Sequence, residues 1–100
     1  MEIKQERDGN TLTVFLTGRL DTNTSPELET HLRENMGDSN KLIIDLENTQ
    51  YVSSAGLRVF LSAHKQLAKT GGEVVIRHAN EYIADVLDAT GFTDFMTVEE

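Results

Sequence analysis

Two short apolar segments restrict the possible folds of this chain more than any other feature. Each is followed by a segment with the period of an amphipathic helix. The first apolar segment covers residues 41–46 and the second covers residues 73–77. Such short apolar runs are typical of strands in a parallel sheet, where helical crossovers join one strand to the next. The sequence therefore predicts an α/β domain with a mostly parallel sheet.

Cap residues and glycines mark the predicted helices. Serine or asparagine favours a helix start, and glycine in the left-handed conformation favours a helix end. The first predicted helix is capped by Ser25, has Pro26 and Glu27 in its first turn, and ends at Gly37. The second covers residues 55–69 and is stopped by Gly71 and Gly72. The third begins at Asn80 and ends at Gly91 and Phe92. The positions predicted to face the core are Leu28, Leu32, Met36, Leu57, Phe60, Leu61, Leu67, Ala68, Ile83, Val86 and Leu87.

The beginning of the chain predicts a β-hairpin. Residues 2–7 alternate weakly, Asp8, Gly9 and Asn10 give a turn signal, and Leu12, Val14 and Leu16 alternate with more polar residues. Residues 18–24 are predicted to form a loop, and residues 95–98 a final short strand.

The complete prediction is a single domain over residues 1–100. It has a mostly parallel sheet of four to five strands, an N-terminal β-hairpin, and helices packed against the sheet. The strand at residues 41–46 is apolar on both sides, which predicts helices on both faces of the sheet.

Composition excludes several classes of partner. The formal net charge is -8 and cysteine is absent. An acidic surface repels nucleic acid and anionic membrane, but suits a protein partner with a basic face. No apolar run reaches the length of a membrane span, and residues 1–4 do not resemble the start of a signal peptide, so we expect a cytoplasmic protein.

A pair of serines, Ser53 and Ser54, precedes the second helix. A hydroxyl there can cap free N–H groups, and the positive end of the helix dipole also tolerates an added anion. The working crevice of an open α/β sheet lies beyond the carboxyl ends of its strands, where we expect the loops 18–24, 47–54 and 78–80. Asp21 lies in the first loop and is expected near the serines. A cap and a modified side chain are both possible roles for them.

Enzyme chemistry finds little support in the sequence. A nucleophile elbow needs Gly-x-Ser-x-Gly, but Val52 replaces the first glycine around Ser54. The possible bases are His31, His64 and His78, and the first two lie on or beside apolar helix stripes. Asp45 lacks the acidic pair that accompanies the phosphoacceptor of a receiver domain. Metal-ligand and phosphate-loop spacings are absent, so we expect no catalytic residue, cofactor or metal.

Three segments carry a resemblance to a known family. They are Gly18-Arg19-Leu20-Asp21, Leu42-Ile43-Ile44-Asp45-Leu46, and Tyr51-Val52-Ser53-Ser54-Ala55-Gly56-Leu57. In length, element order and motif position the whole chain resembles the STAS domain of bacterial anti-sigma factor antagonists. The resemblance implies partner switching. An anti-sigma factor that is also a serine kinase of the histidine-kinase-like ATPase type phosphorylates one serine, and a metal-dependent phosphatase reverses this. Only the unphosphorylated form then binds the anti-sigma factor and frees sigma.

The same resemblance assigns the site residues. The family segment Asp-Ser-Ser/Thr-Gly-Leu places the phosphoacceptor at Ser54 and the glycine at Gly56. The family's aspartate falls on Ser53, which becomes the second candidate acceptor, and its second hydroxyl falls on Ala55. Asp21 matches the acidic residue of the family's first loop. The predicted partner-binding residues are Asp21, Thr22, Asn23, Ser53, Ala55, Gly56, Leu57 and Arg58, whereas Glu29 and Glu34 are expected to lie outside the docking surface.

Two alternatives use the same fold without a switch. One is a STAS subunit that docks on the ATPase of a lipid-transport ABC system, with the serines acting only as caps. The other is a scaffold STAS protein in a larger signalling assembly.

Overall fold

The computed structural model describes residues 1–99 of the chain. Within that range the elements are β1 (Glu2–Asp8), β2 (Thr11–Leu20), α1 (Ser25–Asn35), β3 (Lys41–Val52), α2 (Ser54–Ala68), β4 (Glu73–Arg77), α3 (Glu81–Ala89), a short 3-10 helix (Phe92–Asp94) and β5 (Thr97–Glu99). The α/β prediction is confirmed, and the final strand lies slightly later than predicted. No helix of residues 1–99 combines the length and the apolar character that crossing a membrane requires.

The strands lie side by side in chain order, from β1 to β5. β1 and β2 are antiparallel, with Asp8 opposite Thr11 across a turn at Gly9 and Asn10. Gly9 has a φ of 60°, a conformation that glycine adopts without steric cost. The other neighbouring strands are parallel. The predicted hairpin and the mostly parallel sheet are therefore confirmed.

The helices cover one face of the sheet, so the prediction of helices on both faces is wrong. Because the parallel strands follow one another in chain order, right-handed crossovers place every connecting helix on the same side. One continuous core joins the helices to alternate strand positions. Its members from β2, β3 and β4 are Leu12, Val14, Leu16, Leu20, Leu42, Ile44, Leu46, Val52, Val74 and Ile76, and those from α1, α2 and α3 are Leu28, Leu32, Leu57, Val59, Phe60, Ala63, Leu67, Ile83 and Leu87. Ile43, on the opposite face of β3, is only half-buried.

Of the two segments predicted as loops before the site, residues 47–54 are strand over most of their length, whereas residues 18–24 are strand only as far as Leu20. β2 continues to Leu20 and β3 continues to Val52, where these two residues pair. Two register shifts occur along the pair, and Gly18 lies at the second of them with a φ of 111°. The buried Thr49 hydroxyl donates a hydrogen bond of 2.7 Å to the carbonyl of Leu16. A buried polar residue of this segment is thus satisfied inside the sheet, while Glu47, Asn48 and Gln50 are exposed.

The helix ends differ from the predictions in detail. Thr24, not Ser25, occupies the cap position of α1, and Ser25 is its first helical residue, with its hydroxyl donating to the carbonyl of Asp21. Met36 is the C-cap residue of α1, and Gly37 follows it. Asn80 caps α3 as predicted, by accepting a hydrogen bond from the N–H of Ile83 at 2.8 Å.

The core face of α2 is also shifted from the prediction. Leu61 is half-buried and Ala68 is exposed, whereas Val59 and Ala63 are buried. The other positions predicted for this face, Leu57, Phe60 and Leu67, are buried. In α1, Leu28, Leu32 and Met36 are buried as predicted, and in α3 Ile83 and Leu87 are buried while Val86 is half-buried.

Candidate functional site

The two serines at the start of α2 have different environments. Ser53 is the N-cap residue, and its Oγ accepts a hydrogen bond of 3.3 Å from the N–H of Gly56. Its side chain is 9% exposed. Ser54 is the first residue of the helix and is exposed. One hydroxyl is therefore engaged in holding the helix, and the other faces solvent beside the free N–H groups of the first turn.

Gly56 allows α2 to approach the ends of β2 and β3. A Cβ atom at this position would lie 2.7 Å from Leu20 Cδ2 and 3.0 Å from Val52 Cγ1. Both side chains belong to the core, so a larger residue would push the helix away from the sheet. The glycine of the motif thus fixes the position of the serines.

The loop after β2 is held by its own aspartate. Asp21 Oδ1 accepts hydrogen bonds from the N–H of Thr24 at 3.0 Å and from the N–H of Asn23 at 2.9 Å. The hydrogen bond from the Thr24 N–H is the main reason that the pKa of Asp21 lies below its usual value, and the nearby Arg19 guanidinium lowers the pKa further. Asp21 therefore carries its negative charge at neutral pH.

This loop and α2 are joined directly. The N–H of Ser53 donates a hydrogen bond of 2.8 Å to the carbonyl of Leu20, the residue before Asp21. A groove of about 300 Å³ separates the loop and the start of α1 from α2. Its lining residues are Thr22, Ser25, Pro26, Glu29, Ala55, Arg58 and Val59. The structure thus brings the loop and the serine helix into one continuous surface.

The predicted partner-binding residues divide into exposed and buried groups. The exposed or half-buried ones are Asp21, Thr22, Asn23, Ala55 and Arg58, and the buried ones are Ser53, Gly56 and Leu57. Buried residues can influence a partner only through the position of the helix. Glu29 was expected to lie outside the docking surface but lines the groove together with Arg58, and its effect on a partner stays a prediction. Glu34 is exposed and does not line that groove.

Three side chains beside the site, Arg19, Tyr51 and Tyr82, contact one another in a way that the sequence did not predict. The Arg19 guanidinium lies 4.3 Å from the centroid of the Tyr51 ring, and the Tyr51 ring stacks on Tyr82 with centroids 6.1 Å apart. They belong to β2, β3 and α3, which are distant in sequence. A signal in the sequence was available for two of them, because Tyr51 and Tyr82 are the only tyrosines of the chain.

A second polar cluster lies on the other face of the sheet, around Asp45. Ligand atoms of Asp45, Glu47 and His78 lie within 4.8 Å of one another, as a metal site would require. However, Asp45 Oδ2 already accepts hydrogen bonds from Arg77 Nε at 3.1 Å and Nη2 at 3.0 Å. A guanidinium there competes with a cation for the same lone pairs, so the cluster functions as an ion-pair network between β3 and β4.

The pKa of Asp45 is set by opposing effects. Burial alone would raise it, but hydrogen bonds from the Glu47 N–H, Arg77 and His78 outweigh burial and leave the pKa below its usual value. Within residues 1–99, His31 hydrogen-bonds to Gln5, His78 hydrogen-bonds to Asp45, and the buried Nδ1 of His64 has no partner, so no histidine contacts a serine hydroxyl. The arrangement needed to activate a serine nucleophile is therefore not formed in that part of the chain.

Comparisons with known proteins agree with this architecture. The sequence profile of the STAS domain matches residues 2–100. The anti-sigma-B factor antagonist of Listeria monocytogenes is 30% identical over 100 residues, which cover 99% of this chain and 87% of the relative. The protein of the same name from Staphylococcus aureus is 34% identical over 88 residues, which cover 87% of this chain and 82% of the relative.

Solved structures share the fold. The anti-sigma factor antagonist SpoIIAA in its unphosphorylated form matches with a TM-score of 0.80 at 16% identity, covering 99% of this chain and 88% of that chain. The phosphorylated form of SpoIIAA from Bacillus matches with a TM-score of 0.78 at 17% identity, covering 97% of this chain and 90% of that chain. At this identity the likeness is one of fold.

Proposed function

The chain belongs to the STAS domain family, and from this premise we propose that it is a cytoplasmic anti-sigma factor antagonist that switches partners through Ser54. The unphosphorylated form binds an anti-sigma factor, which is also a serine kinase of the histidine-kinase-like ATPase type, and thereby releases sigma. Phosphorylation of Ser54 ends this binding, and a metal-dependent phosphatase restores it. The chain itself performs no catalysis. The names of its relatives, which are anti-sigma-B factor antagonists, support this proposal.

The observation that supports Ser54 most strongly is the division of roles between the two serines. The Ser53 hydroxyl caps α2 and is nearly buried, so a kinase would have to unwind the helix start to reach it. Ser54 is exposed on the same turn, and its modification would break no side-chain hydrogen bond to another residue of the range 1–99. An acceptor that a kinase can reach in the folded protein suits a switch.

The chemistry of the site explains how a phosphate would act without refolding the domain. A phosphoserine adds roughly −1.5 to −2 charges and three acceptor oxygens. Next to the free N–H groups of α2, this charge is stabilised by the helix dipole. SpoIIAA, which this chain resembles in fold, has been solved in both an unphosphorylated and a phosphorylated form. The fold resemblance to both forms is consistent with a local switch.

The same charge would oppose a docked partner. Asp21 is ionised and held by its loop next to the start of α2, so a phosphate on Ser54 adds to an existing negative field. A partner that covers the groove would have to desolvate both anions, and burying an unpaired charge is costly. The proposed docking surface comprises the exposed loop residues Thr22 and Asn23 together with Ala55 and Arg58 of α2.

Phosphorylation by the kinase tests the assignment of the acceptor. The purified protein is incubated with ATP and each histidine-kinase-like serine kinase from the source organism, and the modified residue is located by mass spectrometry. We expect one phosphate, on Ser54. The Ser54→Ala variant should lose it, and the Ser53→Ala variant should retain most of it. Loss in Ser53→Ala with retention in Ser54→Ala would move the acceptor to Ser53, and no incorporation from any such kinase would contradict the switch.

A further inference from the structure

A cation and two aromatic rings form a short row at the sheet edge that carries Ser53 and Ser54. We call Arg19, Tyr51 and Tyr82 the aromatic strip. Arg19 and Tyr51 are paired residues of β2 and β3, and Tyr82 lies in the first turn of α3. The Arg19 guanidinium is 4.3 Å from the Tyr51 ring centroid, and the two tyrosine rings are inclined by only 17°. The strip is therefore built from three separate elements.

The strip is continuous with the proposed docking surface. Arg19 is followed by Leu20, whose carbonyl accepts the N–H of Ser53, and then by Asp21. Tyr51 is two residues before the cap of α2. The start of α3, which carries Tyr82, is joined to the end of β3, because the Asn80 side chain donates hydrogen bonds to the carbonyls of Thr49 at 3.4 Å and Gln50 at 3.3 Å. A partner that reaches Ser54 and the Asp21 loop would thus have the strip beside it.

Much of the strip is available for contact. Tyr82 is 52% exposed, Tyr51 is half-buried and Arg19 is exposed. Within residues 1–99, no carboxylate forms an ion pair with the Arg19 guanidinium. Arg19 is close enough to Asp21 to lower the pKa of that carboxyl, but the two do not form an ion pair, so the exposed guanidinium in this chain of net charge -8 can still bind a carboxylate from outside. Tyrosine and arginine are also the residue types enriched among the strongest contributors to protein interfaces.

We propose that the aromatic strip is a second contact for the anti-sigma factor kinase, separate from the phosphorylated serine. The partner places an apolar side chain against the Tyr82 ring and a carboxylate against Arg19. This proposal rests on the proposed function, because it takes the same partner. Phosphorylation of Ser54 does not change the strip itself. The strip therefore keeps the kinase positioned on the protein while Ser54 is modified.

A purely internal role for the strip would be a clamp between α3 and β3. A clamp predicts a loss of stability when the tyrosine stack is removed, and no change in affinity beyond what unfolding causes. A docking contact predicts a loss of affinity in protein that remains folded. The two roles are therefore separable by measuring binding and thermal midpoint on the same variants.

The test is calorimetric titration of the purified full chain with the histidine-kinase-like serine kinase that phosphorylates it. Tyr82→Ala should weaken binding at least tenfold, and Tyr82→Phe, which keeps the ring, should bind within twofold of wild type. Phe95→Ala is the matched control, because Phe95 is the other exposed large apolar side chain of residues 1–99, at 43% exposure. It packs on His64 and Phe92, away from the strip, and should leave affinity unchanged within twofold.

Arg19→Glu is a second test variant, needed if Tyr82→Ala proves unstable, because Arg19 is exposed and outside the core. It should also weaken binding at least tenfold with an unchanged thermal midpoint. Folded Tyr82→Ala or Arg19→Glu protein that binds as tightly as wild type would overturn the strip proposal and leave the Ser54 switch intact. Failure of the wild-type chain to bind any such kinase would overturn both.

Discussion

Removing the two serine hydroxyls one at a time separates the cap of α2 from the exposed acceptor. In Ser53→Ala, the hydrogen bond from the Gly56 N–H to Ser53 Oγ is lost, and a nearly buried donor at the helix start has no partner. Loss of a serine cap typically costs about 0.5–2 kcal/mol. The bond here is 3.3 Å long, toward the weak end of the usual range, so we expect about 1 kcal/mol.

The Ser54→Ala variant should behave differently. The Ser54 side chain is exposed and makes no hydrogen bond to another residue of the range 1–99. Its removal should change the free energy of unfolding by no more than about 0.5 kcal/mol. For a domain of this size, a loss of about 1 kcal/mol lowers the thermal midpoint by about 4–8 °C, so the two variants are readily distinguished.

Urea denaturation and thermal unfolding provide the assay, with two controls. Ser53→Asp keeps a cap acceptor and restores the residue type usual at this position in the family, so it should unfold within about 0.5 kcal/mol of wild type. Ser62→Ala removes an exposed serine from the same helix and should not destabilise the protein. If Ser54→Ala loses as much stability as Ser53→Ala, the division of roles between the serines is refuted.

Three further predictions follow from the packing and charges. Gly56→Ala should lower the free energy of unfolding by about 1–3 kcal/mol in urea titrations, because its Cβ would lie 2.7 Å from a core atom, and a stability equal to wild type would contradict this. The lowered pKa of Asp45 contributes stability that is complete above the unfolded carboxyl pKa of about 3.9 and is lost as the pH falls through the folded pKa. Asp45→Asn should therefore lower the free energy of unfolding by about 1–3 kcal/mol at pH 7 and reduce the loss of stability in acid. If the stability of the variant and of the wild type falls with pH in parallel, this role of Asp45 is contradicted. Arg58→Glu should weaken kinase binding at least tenfold in calorimetry with an unchanged circular dichroism spectrum, and Glu34→Lys should bind like wild type. Loss of binding in Glu34→Lys with retention in Arg58→Glu would place the partner on another face.

Local signals in the sequence predicted most of the fold. The turn at Gly9 and the cap at Asn80 depend on a few neighbouring residues, and both are confirmed. The apolar period of α1 likewise identified its buried positions. What the sequence lacked was the side of the sheet on which each helix packs. That depends on strand order, and no local pattern in β3 encodes it.

The errors near the site have a common physical origin. Residues 47–50 are polar and resemble a loop, yet they continue β3, because the buried Thr49 donates its hydroxyl to β2 and the other three side chains are exposed. The aromatic strip was missed because Arg19, Tyr51 and Tyr82 are far apart in the chain and only the sheet brings them together. The predicted closeness of the Asp21 loop and α2 could be reached from the sequence, because parallel strands end at the same edge.

The affinity of the kinase for unphosphorylated and Ser54-phosphorylated protein is the measurement that tests the proposed switch most directly. Both forms are titrated by calorimetry, and their thermal midpoints are compared. We predict that one phosphate on Ser54 weakens binding at least a hundredfold, equivalent to about 2.7 kcal/mol, while the domain stays folded with nearly the same midpoint. Equal affinity of the two forms, or loss of binding only together with unfolding, would contradict a local charge switch on a fixed fold.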